Sequence, residues 1–251
     1  MAKKFYYDNV DLLDATITAG TLSGTTFSTS ASAITNEHYI NDQSIGHAVS
    51  SFDDEDAIRI DLGSAKTVTN VLMHNNSATQ EDNDLWIYYS SSNSDIGVAW
   101  AINSTTPPAS WDISTASSQT ARYWYLRSED GVYSGLTEVI LGVPLEFENE
   151  PDIGIATQEI FATDLNTSLG GVEYANKRHE PKTTWQLNFS NISETFKNNL
   201  VSFEQDVTNF KKFVYYDDSS YHYVRLDSPI KFTEVAFERF SASLKLREQL
   251  S

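Results

Sequence analysis

Apolar and charged residues alternate one for one through Ala57-Ile58-Arg59-Ile60-Asp61-Leu62. A two-residue period belongs to a strand with one face buried and one wet; a helix repeats its apolar positions every third or fourth residue. Gly63-Ser64 ends the run. Residues 68–74, 85–89, 121–127 and 137–143 are further β-prone runs, rich in Val, Ile, Tyr and Trp and separated by Ser-, Thr- and Asn-rich stretches. No helical periodicity interrupts them. Residues 1–145 are therefore predicted to fold as a β-sandwich of jelly-roll type.

The chain changes character at Pro144-Leu145-Glu146-Phe147-Glu148-Asn149-Glu150-Pro151-Asp152, an acidic stretch bounded by prolines that suits a solvated connector. It divides residues 1–145 from residues 146–251. In the second part Ile192, Phe196, Leu200, Phe203 and Val207 fall on one helical face. Asn191 with Glu194 resembles a capping box at its start. Residues 184–189, 212–216 and 221–226 read as strands, with Asp217-Asp218-Ser219-Ser220 as a hairpin turn. Residues 233–246 alternate without a break and predict one long closing strand. The fold class is mainly β: a jelly roll followed by a β-sandwich with one packed helix near 192–207.

The 251 residues hold 17 Lys and Arg against 35 Asp and Glu, a net charge of −18. Residues 1–145 contribute 6 bases against 18 acids. A chain this acidic lacks the cations that displace phosphate counterions, which argues against nucleic acid and against an anionic membrane surface. There is no cysteine, so disulfides, thiolate metal sites and thiol catalysis are excluded. The start of the chain shows no signal-peptide apolar run, and no stretch is long and apolar enough for a membrane-spanning helix. The expected location is a virion, assembled in a host cytoplasm. His38, His47, His74, His179 and His222 have no ligand spacing, and there is no Gly-rich phosphate loop or nucleophile elbow, so no enzyme is expected.

Four places carry a family resemblance. They are Asp42-Gln43-Ser44-Ile45-Gly46-His47-Ala48-Val49-Ser50-Ser51, Ile58-Arg59-Ile60-Asp61-Leu62-Gly63, Ala121-Arg122-Tyr123 with Leu126, and Thr137-Glu138-Val139. In this order they resemble the discoidin, or galactose-binding-like, family of jelly rolls. Val49, His47 and Gln43 depart from that family's usual Trp, Thr and Gly. The resemblance implies a calcium site with Asp42 and Glu138 as side-chain ligands. It also implies a sugar site in loops at one end of the sandwich. His38, Tyr39, Asn41 and His47 lie in one such loop, Asp84 in another and Tyr133 in a third. Trp86, Trp100, Trp111 and Trp124 read as core. The acidic run Asp53-Asp54-Glu55-Asp56 reads as a solvated loop.

The second part is similar, in the order of its features, to the β-sandwich of distal-tail and minor tail proteins of long-tailed phages. That resemblance implies a ring around a tail axis. Lys177, Arg178 and Lys182 form a cationic cluster in an acidic protein, suited to an acidic neighbour such as the next copy. Phe237 and Phe240 lie in the closing run and are candidate contacts between copies. The expected function is a structural virion component, a ring-forming tail or baseplate adaptor with other tail proteins as partners. The alternative is a carbohydrate-binding, receptor-binding protein that uses the jelly roll on a host glycan.

Overall fold

The structure is a computed structural model that describes residues 3–29, 32–51, 53–76, 85–103, 110–128, 131–152, 155–161, 163–167, 173–177, 180–208 and 210–249. The chain divides into two compact units, Tyr6–Pro144 and a second built from Met1–Phe5 with Leu145–Leu250. It is mainly β with a single α-helix among the described residues, in line with the predicted class. No helix among them is long and apolar enough to cross a membrane.

In chain order the first elements are β1 (Lys4–Tyr6), a 3-10 turn (Leu12–Asp14), β2 (Thr16–Ser23), β3 (Thr26–Ser28), a second 3-10 turn (Glu37–Asn41), β4 (Asp56–Asn75), β5 (Leu85–Ser90), β6 (Val98–Asn103), β7 (Ser110–Ser128) and β8 (Leu136–Gly142). The Tyr6–Pro144 sheet runs β3-β2-β4-β7-β5-β6, with β8 added to β4. β4 and β7 are each long enough to serve both layers. Where the sequence predicted two strands split by Gly63-Ser64, β4 is one strand of 20 residues. Its register with β7 slips between Asp61 and Lys66, and Gly63 sits there at φ 72. A bulge with a left-handed glycine turns a strand sharply without ending it. Before the bend β4 pairs with β2, and after it with β8. Ile58 and Ile60 from before the bend join Val71 and Met73 from after it in one core with Trp124, Leu126, Val139 and Leu141. The alternate face of the first half packs separately: Ala57, Tyr123 and Tyr125 cluster with Phe27, Tyr88 and Ile96.

The second unit continues with β9 (Leu145–Glu146), β10 (Ala156–Ile160), β11 (Thr163–Thr167), β12 (Glu173–Lys177), β13 (Lys182–Ser193), α1 (Glu194–Val207), β14 (Phe213–Tyr216), β15 (Tyr221–Leu226), β16 (Lys231–Ala236) and β17 (Arg239–Glu248). Its sheet runs β10-β13-β17-β15-β14-β1-β9, with β16 on β17 and β11–β12 as a separate hairpin. Residues 1–5 were assigned to the first module by sequence, but β1 pairs with β9 through Lys4 opposite Glu146 and Phe5 opposite Leu145. Phe5 is fully buried, with ring centroids 4.9 Å from Phe203 and 5.2 Å from Phe213. Phe196, Leu200, Phe203 and Val207 of α1 are all buried.

Two expectations need correction. The helix begins two residues later than Asn191 would cap it. Ile192 still belongs to β13, opposite Phe240, and Ser193 is the cap, its hydroxyl accepting from the Phe196 amide at 3.1 Å. The run 233–246 is a hairpin, β16 and β17, in which Ala236 pairs with Arg239 around Phe237-Glu238. The two-residue turn joins residues of opposite parity, but a register shift between Glu234 and Ala236 adds one residue, so Lys231–Glu234 and Phe240–Ser243 keep a single alternation. The Asp217 turn forms as predicted between β14 and β15. Burial pushes its carboxyl up, but hydrogen bonds from His222 and from the Ser219 and Ser220 amides outweigh this and hold it well below the usual carboxylate range.

Candidate functional site

The loop from Asn36 to Ser50 is tied down at both ends. Thr35 donates its amide to the Ser50 hydroxyl at 2.7 Å, and Val49 donates its amide to the Leu136 carbonyl at 2.8 Å. Ile40 is fully buried under the 3-10 turn. Asn41 reaches away from solvent, its side-chain amide donating to the Leu12 carbonyl at 2.9 Å. Asn41 thus braces the turn. The anchored loop gathers three rings. Tyr39 stacks with His47 at 5.1 Å and 30°, and His38 tilts against Tyr39 at 4.7 Å. Tyr39 is half-buried and packs on the core, His38 is exposed, and the His47 side chain is 62% exposed. His47 Nδ1 lies 3.5 Å from Asp42 Oδ2. The result is a rigid aromatic surface edged by imidazole and carboxylate groups.

Asp42 and Glu138, far apart in sequence, converge on one donor. The Ser44 amide donates to Asp42 Oδ1 at 2.7 Å and to Glu138 Oε2 at 3.1 Å. Glu138 is 4% exposed. Sequence reasoning found the two acids but not Ser44, whose backbone amide carries no residue-type signal. The two carboxylates are the hard oxygen donors calcium takes, and backbone carbonyls would have to supply most of its six to eight ligands. Among the described residues no group of three or more His, Asp or Glu side chains gathers at metal-binding range. In the acidic run, Asp56 is buried and accepts from the Ser32 hydroxyl, while Asp53 caps its own turn at the Glu55 amide.

Behind Glu138 lies His74, opposite it in register. Thr137 donates its hydroxyl to the His74 carbonyl at 3.1 Å and therefore accepts from His74 Nδ1 at 2.6 Å. Burial holds the His74 imidazole down at about 4, so it is neutral at physiological pH.

Tyr133 does not belong to the surface. It is 2% exposed, and its hydroxyl accepts from the Asn75 side-chain amide at 3.2 Å. Its loop position suggested a solvent-facing ring; a core under that loop takes it instead. Asp84 and Arg178 lie outside the described residues. Trp124 and Trp111 are buried, and Trp86 and Trp100 pack partly buried against the two clusters.

In the second unit Lys177 is exposed and ion-pairs with Glu180. Lys182 lines, with Arg225 and Arg247, a cavity of about 130 Å³ to which Lys177 does not contribute. Phe237 is 86% exposed at the tip of the β16–β17 hairpin, while Phe240 lies under the Lys197 ammonium at 4.4 Å.

No family model matches the chain. No curated protein matches it either. Among solved structures, chitosan-binding module 1 of a chitosanase/glucanase from Paenibacillus sp. IK-5 is 20% identical, covering 55% of this chain and 100% of that one with a TM-score of 0.39. The family 32 carbohydrate-binding module of AlyQ, in complex with 4,5-unsaturated mannuronic acid, is 20% identical, covering 54% and 96% at a TM-score of 0.39. The family 32 module of NanJ from C. perfringens, in complex with galactose, is 12% identical, covering 55% and 98% at a TM-score of 0.36. No ligand or residue role is carried over from them.

Proposed function

We propose that the Tyr6–Pro144 unit is a non-catalytic carbohydrate-binding module whose sugar contact is the surface of His38, Tyr39 and His47. The observation that carries this reading is the held ring stack. A sugar is recognised by an aromatic face under its C–H groups and by fixed donors and acceptors around its hydroxyls. The stacked pair of Tyr39 and His47 offers the face. His38, His47 and Asp42 offer the polar rim. Asp42 and Glu138 form the side-chain part of a calcium site that stiffens the loop beneath the rings. A glycan array with and without calcium tests this: binding is expected, and Tyr39→Ala and His47→Ala should each weaken it by at least about tenfold. An array without hits, or unchanged binding by both variants, would overturn the reading.

A second reading concerns the other unit and is favoured by the β16–β17 hairpin. Phe237 at its tip and Val235 in β16 are 86% and 56% exposed, and β16 pairs only with β17 among the described residues. An apolar tip on an open edge is a liability unless a neighbour covers it. On this reading the chain is a structural component of a tailed-phage virion, forming a ring with copies of itself and other tail proteins. A module binding host glycan would then be its receptor-binding part. Sedimentation of the intact chain and of Phe237→Asp tests it: oligomers that dissociate in the variant are expected, and a strict monomer counts against it.

A further inference from the structure

A cavity of about 400 Å³ opens in the Tyr6–Pro144 unit, at the corner where β4 and β7 bend. The ring surface is tied to the other end of β4, through Glu138 opposite His74. The corner cavity shares no residue with it.

Tyr89 forms one wall. Its ring packs half-buried against the core, with its centroid 6.0 Å from the fully buried Trp124. That packing holds the ring still. Arg122 forms another wall, its Nε and Nη2 donating to Asp61 Oδ1 and Oδ2 at 2.7 and 2.9 Å. The bidentate pair fixes the guanidinium, cancels its charge and leaves its other edge to donate. Its guanidinium also lies 4.9 Å over the Tyr123 ring. Val98 and Ala65 make apolar rims, and Ser91 and Thr120 bring hydroxyls. Gly97, at φ 75, keeps β6 close to β5: a Cβ there would collide with the Tyr89 carbonyl oxygen.

An immobile aromatic ring, small apolar rims and a neutral donor–acceptor pair suit one ligand class. A hexopyranose lays its C–H face on a ring and bridges vicinal hydroxyls between a guanidinium and its neighbours. Anionic ligands gain little from a cation already paired with Asp61, in a unit rich in acids. We propose that this corner cavity is a second carbohydrate subsite that takes a neutral hexopyranose unit. The inference extends the glycan-binding reading above, and it stands on separate residues.

Saturation-transfer NMR of the full chain with galactose, N-acetylglucosamine and galacturonate tests it, alongside Tyr39→Ala, Val98→Trp and Tyr89→Ala. Val98 is 58% exposed, so Val98→Trp fills the cavity mouth without disturbing the core; circular dichroism checks that it folds. Transfer to a neutral hexose is expected in wild type, with its affinity weakened by about tenfold in Val98→Trp and part of the signal kept in Tyr39→Ala. If Val98→Trp changes nothing while Tyr39→Ala abolishes transfer, the corner subsite is overturned and the ring surface stands. Loss in Val98→Trp alone supports the corner and overturns the ring surface. Galacturonate preferred over both neutral sugars would overturn the stated ligand class. No transfer to any sugar overturns both.

Discussion

The two units of this chain solve the same problem with different side chains. The Tyr6–Pro144 unit closes an aliphatic core between halves of the same bent strands. The unit formed by Met1–Phe5 and Leu145–Leu250 gathers rings instead: Phe5, Phe147, Phe203, Phe213 and Tyr215 touch edge-on or stacked within 4.8 to 6.3 Å. The first design frees its loops, because the long strands carry the fold and the ends can vary. The second spends its helix on the core and leaves a hairpin tip exposed. Loops over a closed sandwich suit a small ligand, and an exposed hairpin suits a neighbouring chain.

Phe203→Ala should have the largest effect. Phe203 is fully buried and stacked on Phe5, so its loss is expected to cost about 4 kcal/mol. Hydrogen exchange should show the loss in the amides of β13 and β14 and leave those of β4 and β7 protected. Equal deprotection of both sets would break the contrast between two separate cores.

The first unit carries a pH dependence of its own. His74 titrates at about 4 when folded against 6.5 when free, because burial disfavours its charged form. A depressed folded value means the contribution is complete above pH 6.5 and is lost as pH falls through about 4. It is worth at most about 3 kcal/mol, reduced by solvent screening because the ring is not wholly enclosed. His74→Gln should flatten the stability profile between those limits, measured by urea unfolding at a series of pH values. An unchanged slope would remove His74 as its source.

Calcium should act on the same unit more weakly. Millimolar calcium is expected to raise its melting temperature by a few degrees, roughly 1 to 2 kcal/mol by mass action, and Glu138→Gln should abolish the rise. A rise that survives in Glu138→Gln places the ion elsewhere.

What was legible in the sequence follows from range. The helical face of Phe196, Leu200 and Phe203 and the Asp217 turn are encoded within a few residues, and both formed. β1 was illegible because its partner, β9, lies far along the chain, at the junction where the second module's sequence begins. The β16–β17 turn was hidden by parity, and its Phe237-Glu238 pair carries none of the Gly or Asn that usually marks such a turn. Of the ring surface, His38, Tyr39 and His47 were visible as residue types in one loop. Their stacking was not, since it depends on Asn41 and Val49 anchoring that loop to Leu12 and Leu136. Tyr133 was misread for the converse reason: nothing local says that Asn75 will meet its hydroxyl inside.

The smallest effect tests where the second unit's helix begins. The Ser-Glu-Thr-Phe stretch competes with Asn191-Ile192-Ser193-Glu194 as the start signal, and local pattern favours the earlier residue because Asn caps well and Glu194 sits three residues on. The sheet decides otherwise. Ile192 is fully buried in β13 opposite Phe240, so the chain cannot turn helical before it without exposing that side chain. Asn191 instead adopts φ 59, which Asn tolerates better than most residues, and Ser193 takes the Phe196 amide while its own hydroxyl donates to Glu148. Ser193→Ala should therefore cost about 1 kcal/mol, the usual worth of a cap. Asn191→Gly, which removes any capping group yet suits a positive φ, should cost a few tenths at most. If urea unfolding reverses that order, the cap lies at Asn191 and burial of Ile192 does not set the helix start.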